Sequence, residues 1–219
     1  MANRCPMASN GLVDTAELAA VAVDRRVHRC FSFLDLCGFT DFVDEHGDQA
    51  AVHELQILRS IVREVTPLFG VRIEKWLGDG VLLVGVEPEP LVGATMAIQL
   101  RHTRDGQLPV RGGIASGEVL LLEGDDYIGR AVNLASRLGD LAAPGQLLAS
   151  TEHLELPDWV VAEDRDPVTV KGMVAPVPVV ALSPDHANLR KRSRSRSTQA
   201  LLAVLEGLTR PMRGWTTAG

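Results

Sequence analysis

Between Asp48 and Phe69 the apolar residues Leu55, Leu58, Val62, Val65 and Phe69 recur at intervals of three and four. That is the period of a helix with one buried face, and Gly70 supplies its stop. The preceding pattern is different. "CFSFLDL" is a short apolar run that ends at Asp35 and reaches Gly38, as a buried strand entering a glycine turn would. "FTDFVDEHG" then starts a helix with Thr40 as its cap. Beyond Gly70, "VRIEKWL" and "VLLVGV" flank Gly78-Asp79-Gly80, the signature of a hairpin. "PEPLVGATMAIQLRHTRDG" is a helix opened by proline and closed by Gly106. "LPVRGGIASGEVLLLEG" gives one long or two short strands with glycines at the bends. "GRAVNLASRLGDLA" is a further helix, and "GQLLAS", "WVVAE", "VTV" and "VPVVAL" are short strands.

The order from Cys30 is β-α-β-β-α-β with later additions. It predicts an α+β fold: a ferredoxin-like βαββαβ core, an antiparallel sheet with helices packed on it, and extra C-terminal strands. Residues 1–27 read as a lead-in segment in which "DTAELAAVAVDRR" forms a short helix, 28–183 as one domain, and 184–219 as a tail. The tail carries five basic residues within Arg190 to Arg196. Such a run is a solvated segment on one reading and a weak contact for an anionic surface on another. "STQALLAVLEGLTR" follows, a helix with an apolar face of Leu201, Val204, Leu205 and Leu208. That face suits docking or dimer contact, or the surface of a membrane.

Composition narrows the field. A net charge of -6 and an aromatic share of 4% argue against a specific nucleic-acid partner. Cys5, Cys30 and Cys37 are odd in number and form no CxxC pair, so neither a disulfide framework nor a zinc site is indicated. No secretory pattern and no membrane-length apolar run is present, and the chain reads as cytoplasmic. The six histidines show no metal-ligand spacing and read as surface or satisfied polar residues.

Asp79 poses the central choice. An Asp in a Gly-flanked turn needs no function. Yet in a ferredoxin-like sheet the first strand lies beside the hairpin, which brings Asp35 towards Asp79. Two clustered carboxylates repel unless a cation neutralises them, and hard oxygen donors suit Mg²⁺. Amides around Gly38, Phe39 and Thr40, at a helix start, can cradle phosphate oxygens. Asn133 and Arg137 stand four apart on one helix face, a spacing that can orient a ribose and stabilise charge on a transferring phosphoryl group.

Taken together, "FSFLDLCGFT", "RIEKWLGDGVLL", "VRGGIASGEV" and "DDYIGRAVNLASRL" resemble the catalytic domain of class III nucleotidyl cyclases. The stretches run in family order from about Cys30 to Leu182, and "VTVKGMVAPVPVVAL" resembles the domain's close. The resemblance implies conversion of a nucleoside triphosphate to its 3′,5′-cyclic monophosphate and pyrophosphate. Asp35 and Asp79 would bind two Mg²⁺ or Mn²⁺ ions. Lys75 would select the base with Asp126 as its partner, Asn133 would orient the ribose, Arg137 would stabilise the transition state, and Lys171 would contact the terminal phosphates. A Lys donor with an Asp acceptor complements the acceptor N1 and donor amine of adenine, which favours ATP. The adjacent Glu74 is expected on the opposite face of its strand, out of that role. The resemblance also implies a homodimer with composite sites. One departure stands out: between "ASGEV" and "DYIG" there is only "LLLEGD". Two alternatives are a catalytically silent, nucleotide-sensing dimerisation module of the same fold, and a protein whose basic tail is its main functional part.

Overall fold

The structure, a computed structural model, describes residues 26–122, 126–189 and 196–206. The lead-in helix expected from Asp14 and the basic run over 190–195 lie outside them. Among the described residues eight strands form one sheet: β1 (Arg26–Leu36), β2 (Arg72–Leu77), β3 (Gly80–Gly85), β4 (Val110–Leu121), β5 (Tyr127–Ile128), β6 (Leu147–Ser150), β7 (Val160–Val168) and β8 (Val177–Pro184). The helices are α1 (Phe39–His46), α2 (Asp48–Phe69), α3 (Pro88–Asp105), α4 (Arg130–Leu141), α5 (His186–Leu189) and α6 (Arg196–Glu206). The sheet order is β2-β3-β1-β4-β6-β8-β7, with β5 paired to β4. Its first four strands have the ferredoxin-like order; the β4–β6 pair is parallel and the other described pairs are antiparallel. Among the described residues no helix is long and apolar enough to cross a membrane.

Three local expectations are revised. Thr40 is not the cap of α1: the chain leaves β1 through Gly38 at φ 74, and Gly38 itself occupies the cap position. Glycine adopts that left-handed conformation without the Cβ penalty that Thr would suffer. "WVVAE" and "VTV" are not separate strands, because β7 runs from one into the other. Its pairing with β8 shifts register between Arg165 and Val168, where Pro167 has no amide to give the ladder. The third revision concerns Glu74 and belongs to the site.

The two sheet faces carry separate cores, as the period of two along β1 requires. Cys30 and Leu34 point to α2 and α3, where Leu58, Val62, Val65, Met96 and Ile98 are buried. Phe31 points to α4, where Leu134, Ala135 and Leu138 are buried. Helix α6 lies on α2 and α3, with Ala200, Leu201 and Val204 buried in the first core. Of the expected apolar face, Leu201 and Val204 therefore dock within the chain; the Leu205 side chain and Leu208 lie outside the described residues. His102 is not a surface residue. It is fully buried on α3 with Nε2 3.4 Å from Glu54 of α2, and burial holds it below the ordinary imidazole pKa. The same Glu54 carboxylate accepts from the backbone amides of Gln107 (2.8 Å) and Leu108 (3.0 Å), which ties the entry of β4 to α2.

Helix α4 approaches β4 at backbone distance. A Cβ on Gly113 would overlap the Ala135 carbonyl oxygen and the Gly139 amide nitrogen. Neither is a side chain that can turn away. Gly113→Ala is therefore expected to push α4 off the sheet and lower stability by about 1–3 kcal/mol. A chemical denaturation midpoint equal to that of the unsubstituted protein would show that the helix accommodates the methyl group.

Candidate active site

Asp35 is the penultimate residue of β1, next to buried Leu36 at the end of the strand's apolar run. The antiparallel registers set Asp35 opposite Gly80 on β3 and opposite Arg111 on β4. The glycine is required: a Cβ at position 80 would stand 2.7 Å from the Leu34 carbonyl oxygen and 3.3 Å from Asp35 Oδ1. Gly78 and Asp79 make the two-residue turn between β2 and β3, with Gly78 at φ 65 supplying the positive angle a tight hairpin needs. Gly80 already belongs to β3. Asp79 thus sits one residue from the partner of Asp35. Burial pushes its carboxyl pKa up, the charge on Asp35 pushes it further, and Arg111 opposes both.

Arg111 was not singled out from the sequence. Its Nη2 donates to Asp35 Oδ2 at 3.0 Å and its Nη1 to the Asp140 carbonyl oxygen at 3.2 Å. The guanidinium neutralises one of the two carboxylates and links β1 to the end of α4. Only the β1–β4 register brings Arg111 and Asp35 together, so no local pattern points to it.

Helix α1 begins directly after Gly38. The first intrahelical bond from its start runs from the Phe42 amide to the Gly38 carbonyl, and no side chain caps the end. The amides of Phe39 and Thr40 precede that bond and have no helical acceptor. They lie four and five residues after Asp35, and backbone donors at a helix start of this kind are suited to take an anion's oxygens as partners.

Lys75 and Asp126, 51 residues apart in sequence, are in direct contact on the surface, Nζ donating to Oδ1. The contact holds the ammonium protonated above its ordinary range. Their neighbours correct the expectation for Glu74. The β2–β3 pairing skips Glu74: Ile73 faces Leu83 and Lys75 faces Leu82. Glu74 is the extra residue of a β-bulge. Ile73 and Trp76, three apart, consequently both pack on the core beside α2, with Arg59 and Arg63 of α2 over the Trp76 ring. Arg72, Glu74 and Lys75 are then left together on the other face. An odd spacing between two core-facing apolar residues of one strand is the sequence signal for this.

Asn133 and Arg137 are exposed on α4, four residues apart as expected. Arg137 Nη1 is 3.4 Å from Asp140 Oδ2. Lys171 lies in the exposed turn after β7 and, among the described residues, pairs with none of the others. The named residues therefore fall into groups: Asp35, Asp79 and Arg111 at one strand end, Lys75 with Asp126 at another place, and Asn133 with Arg137 on α4. No hydrogen bond or ion pair joins the carboxylates to the Lys75–Asp126 pair among the described residues.

Among the described residues no three His, Cys, Asp or Glu side chains converge as a ligand set. Among the carboxylates of the described residues, Asp35 and Asp79 are the pair a cation at this site would rest on. The donor chemistry fits a hard divalent ion that takes its other oxygens from phosphate and water. Burial first, and the neighbouring Asp35 charge second, raise the Asp79 carboxyl pKa, and Arg111 opposes them.

No family model matches the chain. An uncharacterised protein of Mycobacterium bovis is 38% identical over 170 residues, 77% of this chain and 44% of the relative. A pH-sensitive adenylate cyclase of Mycobacterium tuberculosis is 32% identical over 122 residues, 54% of this chain and 30% of the relative. The chain thus spans less than half the length of these relatives. Among solved structures, an adenylyl cyclase of P. aeruginosa superposes with a TM-score of 0.64 at 26% identity, covering 73% of this chain and 95% of that one. A guanylyl cyclase shares the fold at a TM-score of 0.63 and 25% identity, covering 72% of this chain and 92% of that one.

Proposed function

We propose that this chain, which carries a catalytic domain of the class III nucleotidyl cyclase type, converts ATP to 3′,5′-cyclic AMP and pyrophosphate at sites shared by two copies. The observation that carries the choice of ATP is the contact of Lys75 with Asp126. Side by side they offer one donor and one acceptor, the complement of the adenine edge. Guanine presents the reverse pattern and would set donor against donor.

The remaining roles follow from what each group is. Asp35 and Asp79 would hold two Mg²⁺ or Mn²⁺ ions, which polarise the phosphoryl oxygens when bound. The Phe39 and Thr40 amides, with Gly38 turning the chain, receive phosphate oxygens. Asn133 fixes the ribose so that its 3′-oxygen stands in line with the α-phosphorus. The bond from that oxygen to phosphorus forms as the bond to the bridging β-phosphate oxygen breaks, and the hydroxyl proton passes to solvent or a phosphate oxygen. Arg137 offsets the charge that builds on the α-phosphoryl group, and Lys171 meets the departing pyrophosphate.

The purified protein supplied with ATP and Mn²⁺ is expected to form cyclic AMP, and to form cyclic GMP from GTP more slowly. Product identified by chromatography tests both parts. Absence of cyclic AMP at any protein concentration would end this reading in favour of a silent module.

A further inference from the structure

We infer that Arg72 is a positioning residue that holds Glu74 away from the base-reading pair and thereby sets the preference for ATP. The inference rests on the cyclase reading above. Its origin is the bulge in β2. Without a bulge, Glu74 and Lys75 would lie on opposite faces of the strand. With it, a carboxylate and the adenine-reading ammonium share a face. Glu74 is near enough to Lys75 to act on its charge. An unrestrained acceptor at this place has two effects. It competes with Asp126 for the Lys75 ammonium, and it presents to the purine the acceptor that guanine's N–H donors require.

Arg72 prevents both. Its Nη2 donates to Glu74 Oε2 at 2.6 Å and to the Tyr127 hydroxyl at 3.1 Å. The guanidinium carbon also stands 5.9 Å from the centre of the Tyr127 ring. Tyr127 is itself anchored, edge-on to buried Phe31 at 5.3 Å. The clamp therefore runs from the core through Tyr127 to Arg72 and Glu74. The Glu74 side chain is only 5% exposed, whereas Lys75 and Asp126 are about half exposed. Asp126 directly precedes β5, which Tyr127 opens, so one short segment carries both the partner of Lys75 and the anchor of the restraint.

The test is the ratio of kcat/KM for ATP to that for GTP. Arg72→Met is expected to lower the ratio by about tenfold or more, through loss with ATP and gain with GTP. Arg72→Lys keeps a cation over Glu74 and retains most of the ratio. Glu74→Gln alone keeps the ATP preference, and Arg72→Met with Glu74→Gln recovers it, which a simple loss of structure would not do. An unchanged ratio in Arg72→Met overturns the inference. So does a double variant as impaired as Arg72→Met. If the unsubstituted protein forms no cyclic nucleotide, the reaction has failed but not the restraint. Competition of ATP and GTP for a bound fluorescent nucleotide then reads the same ratio, with the same two outcomes overturning it.

Discussion

Asp79→Asn is expected to reduce cyclic AMP formation by about a thousandfold, or about 4 kcal/mol of transition-state stabilisation, without lowering the stability of the fold. The two halves of this expectation come from one geometry. Asp79 stands at the tip of the β2–β3 turn beside the end of β1, where burial and the Asp35 charge both disfavour its ionised form. Arg111 is bonded to Asp35 and offsets only part of that repulsion. A neutral amide removes the repulsion and can still make the local turn contacts of an Asp. A residue retained only for the turn would behave otherwise: Asn would then be silent in activity. Thermal melting with and without Mn²⁺ separates the cases. The unsubstituted protein should melt higher with Mn²⁺ and Asp79→Asn should not, because binding to the native state alone raises its stability. Activity within a few-fold of normal, or a retained Mn²⁺ shift, would remove Asp79 from the metal site.

The main line of the fold was legible because its signals are periodic. The spacing of Leu58, Val62, Val65 and Phe69 marks a helix, and the run before Asp35 marks a strand, whatever packs on them. The adjacency of Asp35 and Asp79 followed from the βαββ order alone. What escaped was whatever depends on register. Arg111 is one more polar residue at a strand start until β4 pairs with β1 and sets it opposite Asp35. Glu74 was assigned by strict alternation, and one unpaired residue in β2 reverses that assignment. Ile73 and Trp76 could have warned of it, since two apolar residues three apart cannot both reach one core from a regular strand. The Thr40 cap failed for a different reason. A side-chain cap competes with a turn, and the left-handed angle at Gly38 ends the strand and starts the helix in one step.

Mixing two inactive proteins, Asp79→Asn and Arg137→Ala, is expected to restore about a quarter of normal activity. The reason lies in how the residues are distributed. Within one chain Arg111 joins Asp35 to the end of α4, through the Asp140 carbonyl, while Arg137 turns to the Asp140 side chain and faces solvent. Lys75 and Asp126 pair on the surface, and among the described residues no bond joins them to the carboxylates at the β1 end. A triphosphate served by all these groups is more readily enclosed between two copies than by one. If each site takes its carboxylates from one copy and Lys75, Asn133 and Arg137 from the other, every mixed dimer holds one site with both defects and one with neither. Random exchange makes about half of the dimers mixed, and each of those works at one site of two. A site built within a single chain gives a different answer: every chain carries one defect, and mixing restores nothing. Activity of the mixture should also fall on dilution faster than in proportion to protein, since the intact site exists only while two copies are joined. A mixture that stays inactive, while each variant alone sediments as a dimer, would place the whole site within one copy.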